Sequence, residues 1–479
     1  MNTEETESVL AVGYSLAERA LALCSASGVR YASVTYRLSD ELGMFLKNGS
    51  LSVISPEVDY GISVRVATNG GVGFAATNNM NLQGIKKAVR GALSMARACD
   101  GTAADLSTGR PERASWTVEQ KIRLDSMDAD LKIKRMVELD KMLKESTELK
   151  SFRQIGYSES TNSKYYIDTE GTQVKASDPK VEVAYFLMLQ SGSDYEQAHR
   201  QLGYTGGFEA LEELEVETQG TEDVKALETV LRHGKTFRGG KMDLVCGSEV
   251  TGIACHESCG HPMEADRIMG REASQAGKSF VTADSIGMSV GSEMVTIVDD
   301  PTLPNSFGYY EYDDEGVRAR TRVLYDKGKI NEFLQNRESG AKSLQSSNGA
   351  GRASSYGVEP LVRMANTYLL PGDWSDDEIV GEVSHGVLLK SFNEWNIDDR
   401  RYNQKYVGRE AYMIENGRVT GPVRSPTLEI TTPGFWSAVD AVGKNVRFYG
   451  GTCGKGDPMQ GMEVNMGGPM IRLRNVVLK

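Results

Sequence analysis

The stretch ACHESCGH, residues 254–261, carries two histidines five positions apart, with a glutamate directly after the first. That interval is the strongest constraint on how the chain folds. An α-helix turns about 100° per residue, so side chains four apart share a face, while side chains five apart diverge by roughly 140°. His256 and His261 can therefore serve one centre only if the helix is locally widened. A π-bulge does this, and such bulges concentrate at functional sites. Gly260, just before His261, makes local deformation cheaper. The spacing predicts a widened turn across residues 258–260 that brings both imidazoles together.

The surrounding residues 241–270, KMDLVCGSEVTGIACHESCGHPMEADRIMG, read as strand, turn and helix. Residues 241–246 form the strand and Gly247 the turn. Ser248 is the expected N-cap, its hydroxyl accepting a free amide of the first turn. Val250, Ile253, Ala254 and Glu257 then fall near one face.

Two histidines beside a carboxylate suit a metal. Zinc takes neutral imidazoles, thiolates or carboxylates, and a catalytic zinc keeps one position open for water. Glu257 can sit beside such an ion and take a proton from that water. On the residues alone the third ligand stays open. Cys259 lies three positions after His256, Glu264 three after His261, and Cys453 far along the chain in FYGGTCGKGDP. The glycines around Cys453 permit close backbone approach, and Lys455 favours its thiolate. Cys255 and Cys259 suit packing as small apolar residues. Glu264 and Asp266 can orient the histidines from behind, or cap and solvate the helix end. A rival scheme makes Cys453 a nucleophile with a histidine as base, which leaves the His256–Glu257 pair unexplained. His199, His233 and His385 stand isolated.

Three units follow from the patterns along the 479 residues, giving an α+β reading. The first, 1–100, opens with a helix over 6–26. Four short strands come next, at 32–38, 43–54, 61–68 and 71–77, with Asn48-Gly49 as a hairpin signal, and a helix over 82–99 closes the unit. Residues 101–115 read as a polar linker. The second unit, 116–232, repeats that order. It has a helix over 127–149, strands at 151–160, 164–171, 172–177 and 181–190, and a helical acidic stretch over 208–231. The third, 236–479, is glycine-punctuated and β-rich apart from the histidine-bearing helix.

A formal net charge of −12 argues against a nucleic-acid-binding surface. The acidic start MNTEETESVL lacks a basic segment followed by an apolar run, so no signal peptide is expected, and no stretch approaches the ~20 apolar residues of a membrane span. Six cysteines are too few for a disulfide framework at this length and fit a reducing, cytoplasmic setting.

Four motifs in order, HESCGHPMEAD, GRASSYGVEPLVRMANTYLLPGD, EAYMIENGRVTGPVR and GGTCGKG, resemble the TldD/PmbA metallopeptidases, as does GISVRVATNGGVGFAATN near the start. The likeness covers most of the chain. It implies an N-terminal α/β region of helices and antiparallel strands before a β-rich C-terminal domain carrying the H-E-x-x-x-H helix. It further implies Zn2+ held by His256, His261 and Cys453, with Glu257 catalytic. Short or unfolded peptides entering an enclosed cleft are the implied substrates. A homodimer, or a heterodimer with a paralogue lacking the metal motif, is the implied assembly. The family has also been described as modulating DNA gyrase, which gives a non-catalytic regulatory alternative. Broad specificity suits a peptide added as a strand to a sheet edge. Arg352, in the loop 345–355, is the expected partner of a peptide carboxylate, whereas Arg363, Asn366 and Thr367 read as structural. One segment departs from the family pattern: SFNEWNIDDRRYNQKY, residues 391–406, is bulkier and more charged than expected there.

Overall fold

A computed structural model describes residues 3–99, 106–272, 277–343 and 345–479. Helix α1 (Thr3–Ser25) leads into β1 (Tyr31–Lys47), β2 (Ser50–Ala67) and β3 (Val72–Thr77), and α2 (Leu82–Ala98) follows. After β4 (Arg113–Thr117) come α3 (Ala129–Glu145), β5 (Lys150–Asp168), β6 (Gln173–Ser191), β7 (Asp194–Thr205), α4 (Ala210–Glu213) and α5 (Val216–His233). The seven strands form one sheet in the order β3-β2-β1-β5-β6-β4, with β7 beside β4 on the outer edge of β6. The antiparallel β1–β5 ladder joins the first two units.

Two apolar clusters cover this sheet, and each draws on both expected units, with Tyr165 and Ile167 in the first and Met44 and Leu46 in the second. Ala17, Ala20 and Cys24 of α1 and Ile85, Val89 and Ala92 of α2 cover Val34, Tyr36, Ile62 and Val64. Met136, Leu139 and Leu143 of α3, with Val224 and Leu227 of α5, cover Ile155, Val183 and Leu187. The fold is α+β, with antiparallel ladders dominating the N-terminal sheet.

The strands are longer and fewer than the sequence pattern predicts. Segments 32–38 and 43–54 belong to a continuous hairpin. It turns at Asn48 and Gly49, both at positive φ, as the dipeptide signals. The polar residues between the expected strands keep the ladder: Asp40 pairs with Val58 on one side and Thr161 on the other. Pairing on both flanks overrides a locally unfavourable composition. In the second unit the four expected strands merge into β5 and β6, and β7 is an addition. The helix expected over 208–231 breaks at Glu215, which is left-handed. Of the expected linker, residues 101–105 lie outside the described residues, and its end enters β4.

From the two-residue β8 (Lys235–Thr236) onward, the chain builds a ten-stranded and a six-stranded sheet. Strand β9 (Gly240–Cys246) lies inside the larger sheet, parallel to His385–Leu389 and antiparallel to Ile471–Leu478. Helix α6 (Ser248–Cys255) leaves it and packs on the smaller sheet. The approach is close: a Cβ on Gly252 would stand 3.1 Å from the backbone nitrogen of Gly467. Among the described residues no helix is long and apolar enough to cross a membrane.

Candidate metal centre

The end of α6 widens where the histidine spacing requires it. Residues His256–Gly260 form a π turn, and the His261 amide donates to the carbonyl of His256, five residues back. The ring centroids of His256 and His261 lie 4.8 Å apart, nearly perpendicular. Three buried groups brace the turn. The Ser258 hydroxyl donates to the carbonyl of Ala254 at 2.6 Å, Trp436 Nε1 donates to Ser258 Oγ at 3.0 Å, and Tyr325 donates to the Ser258 carbonyl at 3.1 Å. Gly260 keeps ordinary helical angles, so its use differs from the expected one. A Cβ there would fall 1.9 Å from Met364 Sδ, and the glycine is needed for close packing. The expected cap at Ser248 is also corrected. Ser248 is the first helical residue, and Gly247 stands at the cap without a side-chain bond.

Cys453 comes from the strand Arg447–Lys455, an edge of the six-stranded sheet. Its Sγ lies 3.5 Å from His261 Nε2. One donor atom from each of His256, His261 and Cys453 lies within 4.8 Å of the others, and all three residues are buried. Bonds of 2.0–2.3 Å place tetrahedral zinc ligands roughly 3.3–3.8 Å apart. The sulfur–nitrogen pair already has that spacing, and the set needs only a small contraction. His256 Nδ1 is buried with no hydrogen-bond partner, so the donor set has unmet capacity. Two imidazoles and a thiolate suit zinc.

The electrostatics favour metal-ready protonation states. Burial lowers the proton affinity of His256 and takes His261 down to about 4, with Arg401 acting in the same direction on both. Burial alone would raise the Cys453 thiol, but His261 and Arg363 bring it down to about 7. Lys455, expected to assist that thiol, is engaged elsewhere: its Nζ donates to Asp266 Oδ1 and to the Val362 carbonyl, both at 2.7 Å, and lies 3.3 Å from Glu264. Glu264 accepts from or shares a proton with His261 Nδ1 at 3.0 Å and pairs with Arg267. Burial opposes its ionisation, but Lys455, Arg267 and His261 hold it well below the usual carboxylate range. Asp266 is pushed up by burial. Neither acid is among the converging donors: Glu264 backs His261, while Asp266 is tied to Lys455 and to the Arg267 and Val362 amides. Cys255 and Cys259 belong to the apolar core, where burial raises both thiols.

Glu257, 4% exposed, lines the same cleft of about 700 Å³ as His256, His261 and Cys453. Its walls include Gln197, His199 and Gln201 of β7, residues of the edge strand Phe392–Ile397, and the glycine-rich run before Cys453. The divergent segment 391–406 thus lines the cleft, and His199 is part of it rather than isolated. That segment also supplies a residue the sequence reading missed. Arg401 Nη1 donates to Glu257 Oε2, and the ion pair is buried. In sequence, Arg401 looks like one charge among several on a solvated turn.

Arg352 is not brought to this centre. It lines a separate cleft beside Tyr310, and its Nη1 donates to the carbonyls of Met364 and Glu463 at 2.7 and 2.9 Å. Its Nη2 lies 3.9 Å from the Glu463 carboxylate, so the buried guanidinium is held by its own surroundings. Arg363 is structural, as expected, and it holds the carbonyl of Cys453. Asn366 and Thr367 are likewise engaged by Asp300, Gly308 and Asp299.

Three family descriptions match this chain: PmbA/TldA metallopeptidase domain 1 over residues 32–96, the central domain over 122–230, and the C-terminal domain over 239–479. A metalloprotease of Methanothermobacter thermautotrophicus is 31% identical over 450 residues, covering 94% of this chain and 95% of that one. A zinc metalloprotease TldD homolog of Saccharolobus solfataricus is 30% identical over 245 residues, covering 51% of this chain and 52% of that one. Among solved structures, a Thermotoga maritima protein described as a candidate modulator of a DNA gyrase superposes with a TM-score of 0.80. It shares 16% identity, with 97% and 100% of the two chains covered. TldE from Thermococcus kodakarensis superposes at 0.76 and 17% identity, with 97% and 99% covered. These two likenesses concern the fold.

Proposed function

The chain belongs to the PmbA/TldD metallopeptidase family, and from that premise we propose that it is a zinc-dependent peptidase acting on short or unfolded peptides. The observation that carries this reading is the convergence of His256, His261 and Cys453 beside Glu257 in one cleft. Zinc, when bound, supplies Lewis acidity toward a water and a carbonyl oxygen. Glu257 takes a proton as the water oxygen adds to the scissile carbonyl carbon, then delivers it to the amine nitrogen as the C–N bond breaks. Glu264 holds His261 through Nδ1 and fixes which ring nitrogen faces Cys453. The edge strand Phe392–Ile397 in the cleft wall suits an extended peptide recognised through its backbone, whereas β7 already packs along Gly450–Thr452 of the other edge strand. We infer a dimeric assembly, with itself or with a metal-lacking paralogue. Six free cysteines support a reducing, cytoplasmic setting.

Glu257→Gln tests the reading. It should keep about one zinc per chain and lower kcat by roughly 10²–10⁴-fold, the usual contribution of a general base. Unchanged turnover on a casein-derived peptide mixture would remove Glu257 from the mechanism. The 3.5 Å contact between Cys453 and His261 supports a second reading, a cysteine hydrolase. That reading predicts full activity in EDTA and loss with iodoacetamide.

A further inference from the structure

Arg401 occupies a backbone conformation that a non-glycine residue rarely takes, with φ at 62°. The turn is fixed from several sides. Asp398 Oδ1 accepts from the amides of Arg400 and Tyr402 at 3.1 and 2.8 Å, and its Oδ2 accepts from that of Asn403 at 3.1 Å. The Arg401 amide donates to the Asp398 carbonyl at 2.9 Å, and the Thr432 hydroxyl donates to the Arg401 carbonyl at 2.7 Å. Strain held in place by such over-determination is characteristic of functional sites.

The side chain is equally committed. A charged turn residue ordinarily extends into water, whereas Arg401 is 7% exposed and reaches the carboxylate beside the histidine pair. A guanidinium carries five N–H donors in a rigid fork. Nη1 serves Glu257, while Nε is buried without a hydrogen-bond partner. The group lines the cleft together with His256, His261 and Cys453. Glu257 already balances the charge, but the unpaired buried N–H costs free energy that an oxyanion arising in the cleft would recover. Amide hydrolysis produces one: as the water oxygen bonds to the carbonyl carbon, the C=O electron pair moves onto oxygen, and it returns when the C–N bond breaks.

We propose that Arg401 is a catalytic residue, holding the Glu257 carboxylate with one arm and donating an N–H to the tetrahedral oxyanion. This rests on the peptidase reading above. The guanidinium already lines the cleft beside Glu257, so its benefit falls on the transition state more than on substrate binding.

The test compares zinc-loaded wild type, Arg401→Ala and Arg401→Lys on pentaalanine and on a phosphinic analogue with its central amide replaced. With one zinc per chain throughout, Arg401→Ala should lower kcat by about 10²–10³-fold, the cost of removing one oxyanion donor. KM should stay within about threefold, and binding of the phosphinic peptide by calorimetry should weaken in parallel with kcat. Arg401→Lys should recover part of both, and added methylguanidinium should partly restore the alanine variant. Should the alanine variant not fold, the lysine variant carries the test, with a kcat loss and unchanged KM expected. A kcat within threefold of wild type, or a KM effect with unchanged phosphinic affinity, overturns the assignment and leaves the peptidase reading standing. Zinc-loaded wild type that cleaves no peptide defeats both.

Discussion

At the scale of single residues, the centre depends on keeping two imidazoles neutral in a buried place. His261 resists protonation until about pH 4, while an unfolded chain takes that proton near the ordinary histidine value of 6.5. Its folded pKa is lowered, so the unfolded state binds more protons between those values and stability falls as pH drops from 6.5 to 4. Urea unfolding of the zinc-free protein should show a declining midpoint across this window, with a shallower decline in His261→Gln. Equal slopes for the two proteins would refute the linkage. Packing is equally local at Gly260. Gly260→Ala pushes a methyl into the buried Met364 side chain and should cost about 1–3 kcal/mol, as overpacking does. Met364→Ala in the same chain should recover part of that loss in a denaturant titration. His256 and His261 were legible because an interval of five makes sense only on a widened helix, whereas Cys453 was one of three open candidates until the family resemblance singled it out. Arg401 was not legible: nothing in DDRRY distinguishes a buried, left-handed arginine from its solvated neighbours.

At the scale of elements, the hairpin turn at Asn48-Gly49 could be read directly, because both positions need positive φ. Strand length could not. Residues 39–42 and 55–60 are polar or contain proline, and they persist as strand because a neighbouring ladder runs alongside. Pro56 is tolerated because β3 pairs with β2 only from Ile62 onward, leaving this stretch of β2 on an edge. The strand bearing Cys453 is positioned from outside its own sheet. Gln201 of β7 exchanges hydrogen bonds of 2.8 and 3.1 Å with Thr452. A Cβ on Gly450 would lie 2.6 Å from the backbone nitrogen of Gly203, also in β7. Backbone cannot yield as a side chain can. Gly450→Ala should therefore shift the strand and weaken zinc affinity by about tenfold or more, a change of ~1.4 kcal/mol. Competition with a chromophoric chelator measures it, and an unchanged affinity would detach β7 from the site.

At the scale of the molecule, the donors come together only when the chain is folded: His261 and Cys453 are 192 residues apart. On the proposed reading, metal binding is coupled to folding of the C-terminal sheets. A ligand that binds only the native state at 100 times its Kd adds about 2.7 kcal/mol. Chelation should accordingly lower the Tm, and restoring zinc should reverse the shift. The most direct measurement is zinc per chain in purified wild type beside Cys453→Ala. About one equivalent is expected in the wild type and loss of most of it in the variant, with the far-ultraviolet spectrum retained. Equal zinc in both proteins, or none in either after zinc is supplied, would contradict the proposed site.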